Sequence, residues 1–391
     1  MKWTAVAGVY LCILLGGCGS SDNGGGSPAS SSASNVVAVS IGASNVCTNV
    51  NELCAEVTIC QPGTSTCQTV PDLLVDIGSV GLRIFGSVLS TPLQQAVDSQ
   101  GQPLGECAFF ADGSTTWGPV QVADVVLGGG PAVRVPIQVV NPTFAGQTSS
   151  SNPCNSVVDS DPNAASFNGI LGIGIFRQDC GPVCAANSNN TLYFSCNGTS
   201  CVGAAVPLLN QLQNPVWLLP SGNNGVILAL PSIPATGAPG VSGSLIIGIG
   251  TAANNTPPTG VSVLTTDGNG FLTTNYKGQA LQTIIDSGSN GYFFPDASIP
   301  LCAMPLNEFY CPSSPVNLTA TLVGTNGGQI AVPFQVANTQ TLVQTNQAAF
   351  NNLGGPFSIF DWGLPFFLGR TVFVGIEGQQ SVLGTGPYLA F

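Results

Sequence analysis

The 391-residue sequence predicts an all-β protein with few short helices, and three observations carry that expectation. The first is composition: 50 Gly and 29 Pro punctuate stretches dominated by Val, Ile, Thr and Phe, the make-up of strands joined by turns. The second is the balance of 44% apolar against 6% charged residues, which lets the main body bury a core and argues against disorder. The third is a constellation that occurs twice: an apolar run, Asp, a spacer, Gly and Ser. A chain of this length accommodates two related lobes.

Composition also removes whole classes of function. Six Lys and Arg against 18 acidic residues give a net charge of −12, which repels nucleic acid, and no basic patch is present. There is no histidine, so Ser-His-Asp, Cys-His and His-ligated zinc arrangements are absent. Acid–base chemistry near neutral pH falls to carboxylates, Tyr, Cys and the few Lys. The expectation is therefore a protein with no metal and no cofactor.

Residues 1–18 read as an export signal. Lys2 supplies the positive start, and Trp3 to Leu15 form an apolar run too short for an ordinary membrane span. Leu15-Gly16-Gly17-Cys18 resembles a bacterial lipobox, which makes Cys18 the lipidated first mature residue; the alternative is an ordinary secretory signal with a chance cysteine. Gly19 to Ser34 is rich in Gly, Ser and Ala, so residues 19–35 read as a flexible tether. Gly19 rather than an acidic residue follows Cys18. By resemblance to lipoproteins of two-membrane bacteria, this places the protein in the cell envelope at the outer membrane, facing periplasm or surface, and held to the membrane by its N-terminal lipid only.

Beyond Cys12 and Cys18 lie twelve cysteines, an even number that favours disulfides in an exported chain. Cys302 and Cys311 stand alone in the last third and are expected to pair. Cys196 and Cys201 form a plausible local bridge. Spacing leaves the pairing of the other eight open.

The repeated constellation carries the functional argument. One copy is Leu74-Val75-Asp76-Ile77-Gly78-Ser79-Val80-Gly81-Leu82; the other is Ile284-Ile285-Asp286-Ser287-Gly288-Ser289-Asn290-Gly291-Tyr292. Each reads as a strand entering a tight turn, since Gly permits backbone shapes closed to other residues. A second repeat follows each first: Phe167-Asn168-Gly169-Ile170-Leu171-Gly172-Ile173-Gly174, and Phe366-Phe367-Leu368-Gly369-Arg370. Both are expected to be apolar-apolar-Gly strands.

This order resembles the pepsin-like aspartic peptidases, whose two lobes each carry an apolar-apolar-Asp-Thr/Ser-Gly-Ser/Thr loop and a later apolar-apolar-Gly strand. Further stretches fit in order. Phe109-Phe110-Ala111-Asp112-Gly113-Ser114 through Val125-Val126-Leu127-Gly128-Gly129 looks like the flap hairpin. Val206 to Leu212 looks like a short helix, Gly243 to Gly248 like the strand leaving the first lobe, and Gly386 to Phe391 like the last family strand. The resemblance covers roughly residues 36–391, and the chain is also similar to a group of bacterial exported lipoproteins. It implies a two-lobed pepsin-like fold with a central cleft, an N-terminal lobe over 36–250 and a C-terminal lobe over 251–391.

What it implies chemically is a carboxylate dyad. Two Asp about 3 Å apart cannot both ionise, so they share a proton. The charged member activates a water, and the protonated member hydrogen-bonds the scissile carbonyl. Asp76 and Asp286 are the expected pair. Gly78, Ser79, Ser287, Gly288 and Ser289 are expected to support it, and Phe110, Asp112 and Gly113 to form the substrate-binding flap. Phe110, Trp117 and Phe85 are expected to present an apolar wall beside the cut.

Three positions depart from the family pattern. Ile77 stands where Thr or Ser supplies a hydroxyl that braces the opposite loop, so Ser287 alone is left to provide one half of that brace. Phe110 stands where the flap carries Tyr. Arg370 follows the second expected Gly strand, where Asp is common. Arg83 reads either as a solvated cation or as a cleft charge. Two functions follow: an active, lipid-anchored aspartic endopeptidase, or an inactive relative that binds peptide or acts as a scaffold. In either case the partner is a polypeptide in the interlobe cleft, and the protein is expected to be a monomer.

Overall fold

The computed structural model describes residues 33–391; residues 1–32, which hold the expected signal, Cys18 and most of the tether, lie outside the described residues. The described chain is all-β, with short helices such as Pro162–Ala165, Pro182–Ala186 and Thr339–Val343 between strands. Its strands form sheets of sixteen, seven and two members.

Side-chain alternation explains why these segments are strands. Along Gln329–Val336, Val332, Phe334 and Val336 turn inward while their neighbours stay partly exposed. Val80–Phe85 and Gly169–Ile173 are buried at every position, as strands covered on both faces must be.

The two Asp motifs are built alike on different sheets. In the sixteen-stranded sheet, Cys67–Asp76 runs parallel to Gly169–Ile173, with Asp76 opposite Gly172. The chain turns at Ile77 to Ser79 and returns as Val80–Phe85 on the far side of Gly169–Ile173, antiparallel to it. In the seven-stranded sheet, Gln279–Ile285 runs parallel to Phe360–Trp362, with Ile285 opposite Trp362. The chain returns as Tyr292–Phe293, antiparallel to Phe360–Trp362. Each Asp thus sits on a loop whose two arms straddle a third strand.

That register corrects one expectation. The strand behind Asp286 is Phe360–Trp362 followed by Gly363, not Phe366 to Arg370. The latter begins in a 3-10 turn, Leu364–Phe366, with Pro365 inside its first turn. Proline fits there because its missing N–H leaves no bond unmade. Gly369 then reverses the chain at a φ of 80°. Arg370 lies over the Phe366 ring at 4.7 Å and donates to the Phe366 carbonyl, so it is a packing cation of this turn.

Of the stretch Val206 to Leu212, Leu208–Asn210 forms a 3-10 turn; Gly243 to Gly248 falls largely within strand Val241–Ile247. The expected boundary at residue 250 does not divide the sheets. Thr371–Gly375, Tyr388–Ala390 and Val263–Thr265 all continue the sixteen-stranded sheet.

One apolar core runs through both large sheets. Around the first Asp motif it is aliphatic, with Leu73, Val75, Leu82 and Leu171 fully buried. Around the second it is aromatic: Phe360 stacks on Trp362 at 4.4 Å and on Phe294 at 5.0 Å. Six disulfides use all twelve described cysteines: Cys47–Cys54, Cys60–Cys67, Cys107–Cys154, Cys180–Cys184, Cys196–Cys201 and Cys302–Cys311. Among the described residues no helix is long and apolar enough to cross a membrane.

Candidate functional site

The two Asp loops meet at the floor of a cleft of about 510 Å³. Each carboxylate is first held by its own loop. The Gly78 N–H donates to Asp76 Oδ1 at 2.8 Å, and Ser79 Oγ donates to Asp76 Oδ2. The Gly288 N–H donates to Asp286 Oδ1 at 2.7 Å, and Ser289 Oγ donates to Asp286 Oδ2 at 2.9 Å. Local bonds of this kind hold both oxygens of each carboxylate within its own loop.

The loops then interlock. A Cβ on Gly78 would lie 2.6 Å from Asp286 Cγ, and one on Gly288 would lie 2.9 Å from Asp76 Oδ1. Glycine is required at both places because each backbone passes against the other loop's carboxylate. Asp76 and Asp286 are hydrogen-bonded to each other. Burial, then the charge of Asp286, then their shared hydrogen bond push Asp76 well above the usual carboxylate range. Two carboxylates packed this closely share a proton rather than both ionising.

The brace between loops is one-sided. Ser287 Oγ accepts from the Ile77 N–H at 3.1 Å and donates to the Val75 carbonyl at 2.6 Å. Ile77, buried at 4% exposure, returns no such bond. Apolar packing replaces the hydroxyl there. A second tie between segments comes from Asn51. Its amide donates to the Asn290 and Phe350 carbonyls and accepts from the Phe350 N–H, fastening the second Asp loop to the cleft wall.

Over the cleft hangs the hairpin of Leu104–Phe109 and Thr115–Val126. Its tip closes through the Phe110 N–H to the Ser114 carbonyl at 3.0 Å and the Gly113 N–H to the Phe110 carbonyl at 3.0 Å. Asp112 Oδ1 accepts from the Ser114 N–H and hydroxyl. Phe109, Phe110 and Asp112 line the cleft. Trp117 and Phe85 do not. Trp117, on the second strand of the hairpin, is fully buried against Phe144 and Phe194, and Phe85 is buried against Phe167. The apolar wall comes instead from Phe109, Phe110, Leu74, Ile170, Leu192 and Phe293.

Arg83 is not a solvated cation. It is 4% exposed, donates to Glu106 Oε1 at 2.6 Å, and reaches Asp179 Oδ2 at 3.4 Å. Tyr193 Oη donates to Asp179 at 2.7 Å. Burial, then the Glu106 charge, raise the Asp179 carboxyl well above the ordinary range in spite of Arg83. The guanidinium also lies 5.9 Å from the Phe110 ring, which ties the network to the hairpin tip.

Three acidic cleft residues were missed in the sequence: Asp179, Glu52 and Asp361. Glu52 is buried, and that burial pushes its carboxyl up to about 8 against hydrogen bonds from Asn49. Asp361, on the strand behind Asp286, is 2% exposed, and its Oδ1 has no hydrogen-bond partner. The signal for Asp361 was a lone carboxylate between Phe360 and Trp362, where the pattern calls for an apolar residue.

The chain belongs to the family described as Protein of unknown function (DUF3443), whose family model matches residues 31–391. No curated protein matches the chain.

Proposed function

We propose that this protein is an aspartic endopeptidase with a two-lobed pepsin-like arrangement, exported and anchored by lipid on Cys18. One observation carries the reading. Two Asp from separate sheets, each pinned by its own Gly N–H and Ser hydroxyl, hydrogen-bond each other at the floor of one cleft. In this reading the shared proton leaves one carboxylate charged to take a proton from water as that water attacks the peptide carbonyl. The protonated member donates to the carbonyl oxygen and then helps protonate the leaving amine. An extended polypeptide lies beneath the hairpin as an added strand. Activity falls as rising pH removes the shared proton.

A second reading has its own support. Ile77 removes half of the inter-loop brace and Phe110 offers the cleft no hydroxyl, which suits an inactive peptide-binding or scaffold lipoprotein. The deciding experiment is cleavage of an unfolded protein by the mature chain, made in an oxidising compartment, from acid to neutral pH. Cleavage that is blocked by a pepstatin-type inhibitor and lost in Asp286→Asn supports the peptidase. A folded, disulfide-bonded sample that cleaves at no pH overturns it in favour of the binding protein.

A further inference from the structure

The two halves of the cleft floor can be superposed residue by residue through strand register. Behind Asp76, Ile170 lies opposite Leu74 on one side and Arg83 on the other. Behind Asp286, Asp361 lies opposite Ile284 on one side and Phe293 on the other. All six residues line the cleft. The rows are therefore equivalent in backbone, with an apolar residue at the centre of one and a carboxylate at the centre of the other. Phe360 and Trp362 are fully buried in the aromatic core, so alternation turns the intervening Asp361 the opposite way, into the cleft wall.

Asp361 is an unusual residue to leave there. Its Oδ1 is buried without a partner, and a buried carboxylate oxygen is normally hydrogen-bonded or paired. Ser289 is a hydrogen-bond neighbour, but Ser289 also spends its hydroxyl proton on Asp286. No described cation acts on Asp361. Arg83 is committed to Glu106 and Asp179, and Arg370 to the Phe366 turn. No group of three His, Cys, Asp or Glu among the described residues is placed to hold a metal ion.

We propose that Asp361 is a specificity residue: it receives the Lys or Arg side chain of a bound polypeptide on the Asp286 side of the dyad, while the Ile170 row receives an apolar side chain on the Asp76 side. This deepens, and rests on, the reading of the cleft as a peptide-binding one. The bound cation supplies the partner that Asp361 Oδ1 lacks and offsets the crowding of negative charge around Asp76 and Asp286. Burial, then the Asp286 charge, favour the protonated form of Asp361. Binding an ammonium therefore expels that proton, and the advantage of Lys over an uncharged side chain grows as pH rises.

The test uses non-cleavable peptide mimics with a statine-type centre and either Lys or norleucine at one flank of that centre or the other. Binding to the mature chain is measured by calorimetry at several pH values. Lys is expected to bind about tenfold or more tightly than norleucine at one flank only, in line with a desolvated charge pair. Norleucine is expected to win at the other flank. Asp361→Asn is expected to erase the Lys preference, and Asp361→Ile, which copies Ile170, to reverse it. Equal binding of Lys and norleucine at both flanks of the unaltered protein overturns the proposal, as does a Lys preference that survives Asp361→Asn. Neither result depends on cleavage. A chain that binds the Lys mimic selectively yet hydrolyses nothing sinks the peptidase and leaves Asp361 in its role.

Discussion

The loop around Asp76 and the loop around Asp286 share a skeleton and differ in what they attach to it. In both, Gly N–H and Ser Oγ clamp the carboxylate, and in both a strand parallel to the incoming arm lies behind. Two of the differences concern polar groups next to the carboxylates. Ile77 faces Ser287 in the spacer, and Ile170 corresponds to Asp361 in the supporting strand. The first loop is apolar at both places, while the second carries a hydroxyl and a carboxyl. What repeats holds the carboxylates still; what differs sets the charge, the proton count and the strength of the tie between loops.

Breaking the shared skeleton is expected to have the largest effect. On the proposed peptidase reading, Asp76→Asn and Asp286→Asn should each lower the rate of peptide cleavage by about 10³-fold or more, since each removes an acid–base partner. Their folding should be retained, as judged by far-UV and near-UV circular dichroism. The two glycines come next. Gly78→Ala and Gly288→Ala each force a Cβ into the opposite carboxylate. A loss of about 1–3 kcal/mol is expected from overpacking, measured by urea denaturation.

The protons held by the site can be read from stability against pH. Asp76 and Asp361 are raised above the ordinary 3.8, chiefly by burial, and Glu52 is pushed from 4.5 up to about 8. A folded state that holds these protons when the unfolded chain has lost them is favoured by acid. Stability should therefore fall as pH rises from about 4.5 towards 8. Each such group contributes a slope of about 1.4 kcal/mol per pH unit within its window. Asp296 opposes this at the acid end. Burial resists its ionisation, but Lys277, Ser298 and Tyr276 hold it at about 2, so its contribution disappears as pH falls from 3.8 towards 2. Thermal melts should show a maximum near pH 4–5. Asp361→Asn should flatten the alkaline limb, and an unchanged slope would refute the assignment of that proton.

The spacer contrast should give the smallest effects. Ser287→Ala removes the only hydroxyl of the brace and should cost about 1–3 kcal/mol. Ile77→Thr keeps the β-branched shape and adds a hydroxyl. It should leave stability within about 1 kcal/mol, because one new hydrogen bond offsets a lost methyl contact. A rise in cleavage rate in that variant would show that the missing half of the brace limits activity.

The same contrast explains what could be read from the sequence. Strand ends at Asp76 and Ile285 were legible because apolar runs break into Gly-containing turns. The all-β class was legible for the same reason across the chain. The strand behind Asp286 was not, because Asp361 interrupts its apolar pattern while Phe366 to Leu368 imitates it. Burial in the presence of a charge is a tertiary fact, and neighbours in sequence do not reveal it. The local pairs Cys302–Cys311 and Cys196–Cys201 could be chosen by isolation or proximity. Cys47–Cys54 and Cys60–Cys67 could not be told from Cys54–Cys60 by spacing, and Cys107–Cys154 depends on how the hairpin packs. Arg83 stayed ambiguous because Glu106 and Asp179 reach it from distant segments.

The sixteen-stranded sheet also sets an order of events. Its strand Tyr388–Ala390 lies between Val263–Thr265 and Thr371–Gly375, and Thr371–Gly375 pairs in turn with Gly225–Ala229. Tyr388–Ala390 is thus an interior member of the sheet that also carries the first Asp motif. Val263–Thr265 pairs in this sheet only with Tyr388–Ala390, so it joins after that strand has docked, and the sheet that holds Asp76 is completed by pairings between distant segments.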